Sequence, residues 1–279
     1  MSPQAPLLVG VLNLTPDSFS DGGEYTSLAS ALRHAEALLS DGADIIEVGG
    51  DSTRPGSSCC GAATEWTRIE AVVRELAPRC RLSVDTHHAE VAERSLDLGA
   101  TLINDVSAGS DPRMFEVVAR YTCPIIVMFS RCAPPHVFQD LAPENIIDSI
   151  NRYLDNRSHL AEAAGVAPGN IIRDSGLGAF VSSAPADSWT IIDRYDEITA
   201  GGGGLMFGSS RKGFLKSADE LSPRDRDPAS ALTGVTAALH RHNKPGPLYI
   251  RTHNVALQRQ LLGSLTRIIA PQKPIGAKA

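Results

Sequence analysis

The chain has 279 residues, with 26 Lys and Arg against 32 Asp and Glu, for a formal net charge of −6. With 42% hydrophobic and 21% charged residues, the composition supports a buried core and excludes a disordered chain. The acidic balance also excludes a general nucleic-acid binder, which carries a basic stripe. No apolar run approaches the roughly 20 residues that span a bilayer, and Met1–Pro6 lacks the basic start of a secretory signal. The five cysteines (59, 60, 80, 123 and 132) are odd in number and form no C-x-x-C pair. They fit a reduced, cytoplasmic protein whose thiols pack or sit in loops.

Short apolar runs alternate with helical patterns along the chain. Residues 7–12 predict a first strand and 28–39 a helix. Next come a strand at 44–48 and a helix at 64–76, then 81–84 with 88–98, and 101–103 with 112–120. A strand at 124–128 precedes a helix over about 143–164. The last pairs are 170–173 with 186–195, 204–207 with 228–240, and 247–250 with 255–269. Apolar runs this short and without alternation fit strands buried on both faces of a parallel sheet. Eight strand–helix units predict a single α/β domain over residues 1–279, a (β/α)₈ TIM barrel. The alternative, a doubly wound open sheet, more often stops at five or six strands. Residues 130–142 and 216–227 read as mobile, and 270–279 as a flexible tail.

In such a barrel, reactive groups gather at the C-terminal ends of the strands. Here the predicted ends carry Asn13, Glu47, Asp85, Asn104, Met128, Asp174, Lys212 and the pair Arg251/His253. One strand-end Asp or Asn is often only a helix cap; eight polar ends in a row would converge on one mouth. Asp85, Asn104 and Asp174 suit the edge of a flat, amide-rich heterocycle, because a carboxylate accepts paired N–H bonds and Asn both donates and accepts. Met128 suits a ring face. Arg54, Lys212, Arg251 and His253 are the cations, and the loops after strands seven and eight are the usual phosphate site of this fold. Ser210–Lys212 is expected to open a helix whose N–H groups favour an anion. Together these predict a phosphorylated or diphosphorylated heterocyclic substrate, with Asn13 helping to hold Mg²⁺ on a diphosphate. No H-x-x-x-H or Cys/His cluster points to a tight zinc site. The loops at 15–23 and 51–61 read as lids over the mouth.

Val11–Gly23 (VLNLTPDSFSDGG) resembles the first signature of the dihydropteroate synthase family, and Gly49–Gly56 (GGDSTRPG) resembles its second. Ser83–Thr86, Ile103–Val106, Ser210–Lys212 and Arg251–His253 match further blocks in order, so the resemblance runs from about residue 7 to 265. It implies a (β/α)₈ barrel, usually a homodimer, that joins 6-hydroxymethyl-dihydropterin diphosphate to p-aminobenzoate, releases diphosphate and is inhibited by sulfonamides. It implies that Asp85, Asn104, Met128, Asp174 and Lys212 bind the pterin, with Asp85, Asp174 and Lys212 catalytic. Asn13, Arg54, Arg251 and His253 would bind diphosphate, with Mg²⁺ as cofactor on Asn13. Thr53, Arg54, Phe180 and Gly213 would meet the aminobenzoate.

Several positions depart from the family pattern. Glu47 replaces an Asp, Phe129 follows Met128 in place of His, and Asn254 replaces a final Asp. After Asp174 the chain reads SGLGAFV where the family has P-G-x-G-F-G-K, and Gly213 replaces a Ser. The last two changes fall on the aminobenzoate side. They predict either an ordinary synthase or a paralogue with an altered amine acceptor. Rival readings are a non-catalytic pterin-binding protein, the pterin domain of a corrinoid methyltransferase, which needs neither Thr53-Arg54 nor Arg251/His253, and a Schiff-base aldolase on Lys212.

Overall fold

A computed structural model describes residues 5–15, 28–51, 59–133, 137–138, 145–216 and 221–269. Eight parallel strands close into a ring: β1 (Leu7–Asn13), β2 (Ile45–Gly49), β3 (Leu82–Asp85), β4 (Leu102–Asp105), β5 (Ile125–Met128), then β8 (Ile171–Asp174), β9 (Leu205–Phe207) and β10 (Leu248–Thr252), which pairs with β1. Between β5 and β8, two-residue strands β6 (Cys132–Ala133) and β7 (Val137–Phe138) pair antiparallel. The helices are α1 (Leu28–Ser40), α2 (Ala62–Leu76), α3 (Ala89–Asp97), α4 (Met114–Arg120), α5 (Ile146–Ala163), α6 (Pro185–Asp193), α7 (Asp227–Arg241) and α8 (Val255–Ile269). The predicted single TIM barrel is the observed architecture. No helix among the described residues is long and apolar enough to cross a membrane.

Strand alternation splits the core in two. Val9, Ile45, Leu102, Ile126, Ile172, Met206 and Tyr249 form a small cluster inside the ring. Their chain neighbours, such as Leu8, Ile46, Ile103, Ile125, Ile171, Leu205 and Leu248, join the larger cluster between sheet and helices. Side chains two residues apart on a strand share a face. Two residues beyond the inner plug therefore stand Glu47, Asn104, Met128, Asp174 and Arg251, all on the inward face at the C-terminal rim. Asp85, two residues after Ser83, and Asn13, four after Val9, complete the layer.

Two local expectations need correction. Ser210–Lys212 opens only a single 3₁₀ turn, Gly213–Leu215, with Arg211 in the left-handed region at φ 59°. That arrangement supplies no helix N-terminus for an anion. The charged stretch before α7 is anchored where it is described. Arg226 is buried and donates to Leu221 O and Arg211 O, and Arg211 grips Asp227 with two bonds of 2.7 and 2.8 Å. In 130–142, the described part contains the β6–β7 pair. The tail at 270–279 and most of both proposed lids lie outside the described residues.

Candidate active site

The mouth is organised around Arg251. From β10 its Nε donates to Glu47 Oε1 on β2 at 2.5 Å, and its Nη2 donates to Asp85 Oδ2 on β3 at 3.4 Å. Glu47 Oε2 accepts from Asn104 Nδ2 at 3.0 Å and from Ser83 Oγ at 3.3 Å. Four strands thus contribute to one polar network above the plug. Standing where an Asp was expected, the Glu47 carboxylate serves Arg251 through one oxygen and Asn104 through the other. Burial opposes the charge on Arg251, but Glu47 and Asp85 raise its pKa above the ordinary value. Asp85 is pushed toward its neutral form: burial and then Glu47 raise its carboxyl, against the pull of Arg251. Its Oδ1 is buried and has no hydrogen-bond partner among the described residues.

Across the mouth, Asp174 ends β8. Its backbone carbonyl accepts from Phe129 N–H at 2.8 Å, and its Oδ1 accepts from Gly176 N–H at 2.8 Å. Gly176 is at φ 62°, and a Cβ there would lie 2.2 Å from Phe129 O, so the turn that folds back on Asp174 requires glycine. Burial raises the Asp174 carboxyl, with Lys212 opposing it most strongly. Burial in turn lowers the Lys212 ammonium to about 8, with Asp174 partly compensating and Arg251 adding to the depression. The Lys212 stem crosses Gly178, whose ideal Cβ would stand 3.5 Å from Lys212 Cδ. Its Nζ lies 5.1 Å from the centre of the Phe180 ring, a cation–π contact.

Met128 is buried at the end of β5, opposite Asp174 in register. His253 is fixed by Ser210, whose Oγ lies 2.9 Å from Nδ1 and accepts from the His253 N–H at 3.0 Å. Asn13 ends β1, with its Oδ1 3.8 Å from the ideal Cβ position of Gly49, facing the rim beside Asp85. Gly213 is exposed, and a Cβ there would meet nothing within 4 Å. Thr53 and Arg54 lie outside the described residues.

The structure therefore gathers Asn13, Asp85, Asn104, Met128, Asp174 and Arg251 on one inward layer, with Lys212, Phe180 and His253 on the loops above. Glu47 was legible as a strand-end acid but not as the hub of the network; its inward parity with Ile45 was the available signal. Asp105, next to Asn104, faces outward. It accepts from Ser107 N–H and Oγ and from Gly109 N–H at 2.6–2.8 Å, and so pins a turn. Away from this layer, Asp51, Cys59 and His87, which no sequence motif joins, converge in space.

A closed parallel barrel with carboxylates, an amide and cations at its C-terminal mouth defines a small-molecule enzyme of the TIM-barrel class. Residues 9–253 match the family model described as pterin binding enzyme. The chain is 37% identical to the dihydropteroate synthase of Staphylococcus haemolyticus, covering 92% of this chain and 93% of that one. It is 36% identical to that of Bacillus subtilis, covering 89% and 84%. Among solved structures, the Yersinia pestis dihydropteroate synthase with a sulfonamide drug superposes with a TM-score of 0.85 at 32% identity over 95% and 94% of the chains. The Xanthomonas albilineans enzyme with 4-aminobenzoic acid gives 0.84 at 31% over 96% and 95%. The chain belongs to the dihydropteroate synthase family of pterin-binding enzymes.

Proposed function

We propose that this protein is a dihydropteroate synthase, a transferase of folate biosynthesis that condenses 6-hydroxymethyl-7,8-dihydropterin diphosphate with p-aminobenzoate and releases diphosphate. The observation that carries this reading is the buried Asp85 Oδ1, which has no partner among the described residues and stands beside Asn104 in register, on the same inward layer as Asp174. A buried carboxylate oxygen left without a donor costs about 1–3 kcal/mol or more, and a ring N–H relieves it. Asp85 and Asn104 read the amide-rich edge of the pterin, Lys212 donates from above, and Met128 packs on the ring.

Breaking the pterin CH₂–O bond leaves a cation that the electron-rich ring delocalises. The Asp174 and Asp85 carboxylates stabilise that charge. Arg251 and His253, with Arg54, receive the leaving diphosphate. Asn13 offers one neutral oxygen, which fits Mg²⁺, an ion that takes few protein ligands and draws the rest from phosphates and water. When bound, Mg²⁺ neutralises charge on the leaving group. The neutral aromatic amine then forms the new C–N bond and loses one proton to solvent, so no strong base is needed. Phe180 and Gly213 border its entry in this reading.

A second reading, a paralogue with another amine acceptor, is favoured by one observation. Gly213 presents no side chain and is exposed where the family has Ser. One assay separates the readings. Pterin diphosphate, p-aminobenzoate and Mg²⁺ are mixed with the enzyme, and dihydropteroate and diphosphate are measured. Efficient, stoichiometric formation of both supports the synthase and removes the altered-acceptor reading. No diphosphate release with any amine would leave only pterin binding. The protein is further proposed to be cytoplasmic and a homodimer. In support of the dimer, Trp189 and Leu232, which are 45% and 62% exposed, border an apolar groove between α6 and α7.

A further inference from the structure

Asp51, just after β2, Cys59, at the far end of the same connection, and His87, after β3, converge at the barrel's C-terminal face. One ligand atom from each lies within 4.8 Å of the other two. Asp51 and His87 are buried and Cys59 is half-buried. The surrounding contacts fix these positions. The Cys60 N–H donates to both Asp51 carboxylate oxygens at 3.2 Å, drawing the stretch at Cys59 and Cys60 onto the end of β2. His88 Nε2 lies 3.1 Å from Cys60 O, and the His88 N–H donates to Thr86 Oγ1 at 3.1 Å. The β3–α3 turn is thereby tied to the same stretch. The His87 and His88 rings stand 4.1 Å apart between centroids. The Cys60 Sγ lies 3.3 Å from Arg68 Nη1, and its thiol also hydrogen-bonds Asp51.

A second observation points the same way. Glu65, from the first turn of α2, is fully buried beside this cluster. Its Oε2 accepts from Thr86 Oγ1 at 2.9 Å, but its Oε1 has no hydrogen-bond partner among the described residues. Negative groups are crowded here around a soft donor.

We propose that Asp51, Cys59 and His87 bind a thiophilic divalent cation of the zinc class, with water completing the coordination. The donor set decides the class, because sulfur with imidazole selects zinc-like ions over Mg²⁺ and Ca²⁺, which take oxygen. Metal–ligand distances of about 2.0–2.3 Å place tetrahedral donors about 3.3–3.8 Å apart. The observed spread closes with side-chain adjustments of about 1 Å. Binding forms one metal–sulfur bond and releases the Cys59 proton to solvent, with no change of oxidation state. The loaded site links the connections after β2 and β3, two residues from Asp85, independently of which amine the enzyme accepts.

The test uses the full-length protein, stripped with a chelator and titrated with Co²⁺ as a spectroscopic substitute for Zn²⁺. Wild type is expected to show a thiolate-to-cobalt charge-transfer band that saturates near one equivalent and is bleached by Zn²⁺. Cys59→Ser should abolish the band, Cys60→Ser should keep it, and His87→Ala should weaken Co²⁺ binding about 10-fold or more. Absence of the band in wild type, its survival in Cys59→Ser, or its loss in Cys60→Ser overturns the proposal. A readout that needs no variant is alkylation of wild type by iodoacetamide, mapped by mass spectrometry. Zn²⁺ at one equivalent should slow modification of Cys59, and equal rates with and without Zn²⁺ overturn the assignment.

Discussion

At the scale of single residues, two desolvated groups, the half-buried Lys212 and the buried Glu65, have shifted protonation that experiments can read. Lys212 is lowered to about 8, and in the proposed function its protonated form is the one that donates to the pterin. The value of kcat/KM is therefore expected to fall as pH rises through about 8, and Lys212→Arg should move that fall to higher pH. An unchanged alkaline limb in Lys212→Arg would show that another group sets it. Lys212→Ala and Asp174→Ala should each nearly abolish turnover while the far-ultraviolet circular dichroism stays native. Glu65 is raised from 4.5 to about 8, chiefly by burial. Its folded-state pKa exceeds the unfolded one, so the stability it supports is full below about 4.5 and is lost as pH rises through about 8. In chelator-treated protein, Glu65→Gln should melt above wild type at pH 8, with the difference gone at pH 4. Neither shift is legible in the sequence. Lys212 and Glu65 could be named there, but desolvation is a property of the packed molecule.

At the scale of elements, α8 shows how a departure from the family pattern is absorbed. Asn254 precedes the helix, and its Oδ1 accepts from Leu257 N–H at 3.1 Å, an N-cap. Its Nδ2 donates to Asp227 Oδ2 at 3.2 Å, which an aspartate could not do. Asn254→Asp would keep the cap but set two carboxylates together. It is expected to cost about 1–2 kcal/mol and lower Tm by about 2–6 °C in a chain of this size. A Tm equal to wild type would remove this role for Asn254. The element order and most boundaries were legible because eight apolar runs repeat against eight helical patterns. The 3₁₀ turn after Lys212 was not legible, since it depends on Arg211 holding a left-handed backbone while gripping Asp227. The Phe180–Lys212 contact was hidden too, because it joins the β8 and β9 connections.

At the scale of the whole molecule, Arg251 links β10 to β2 and β3 across the closed end of the ring. Removing it leaves Glu47 and Asp85 without their shared cation. Arg251→Ala is expected to destabilise the barrel by about 3 kcal/mol and to weaken binding of pterin diphosphate more than of the pterin alcohol. Adding Glu47→Gln should recover part of the melting temperature and none of the diphosphate affinity. Equal loss of both ligands would contradict the role given to Arg251. The convergence of strand-end residues could be anticipated from the fold, whereas the pairing of Glu47 with Arg251 could not. They are more than two hundred positions apart and meet only because the last strand closes on the first.

That closure also means the mouth contains its own competitor. In the proposed reaction an arriving diphosphate does not meet a bare guanidinium but one that already donates to Glu47 and Asp85, so it enters in competition, an exchange of one anion for another. Ions in solution face the same exchange, so common buffer anions should occupy this position poorly. Under the proposed function the substrate gains entry because its pterin simultaneously satisfies Asp85 and Asn104. Discrimination between whole substrate and free phosphate is thereby set before any chemistry begins, by a carboxylate that never leaves the protein.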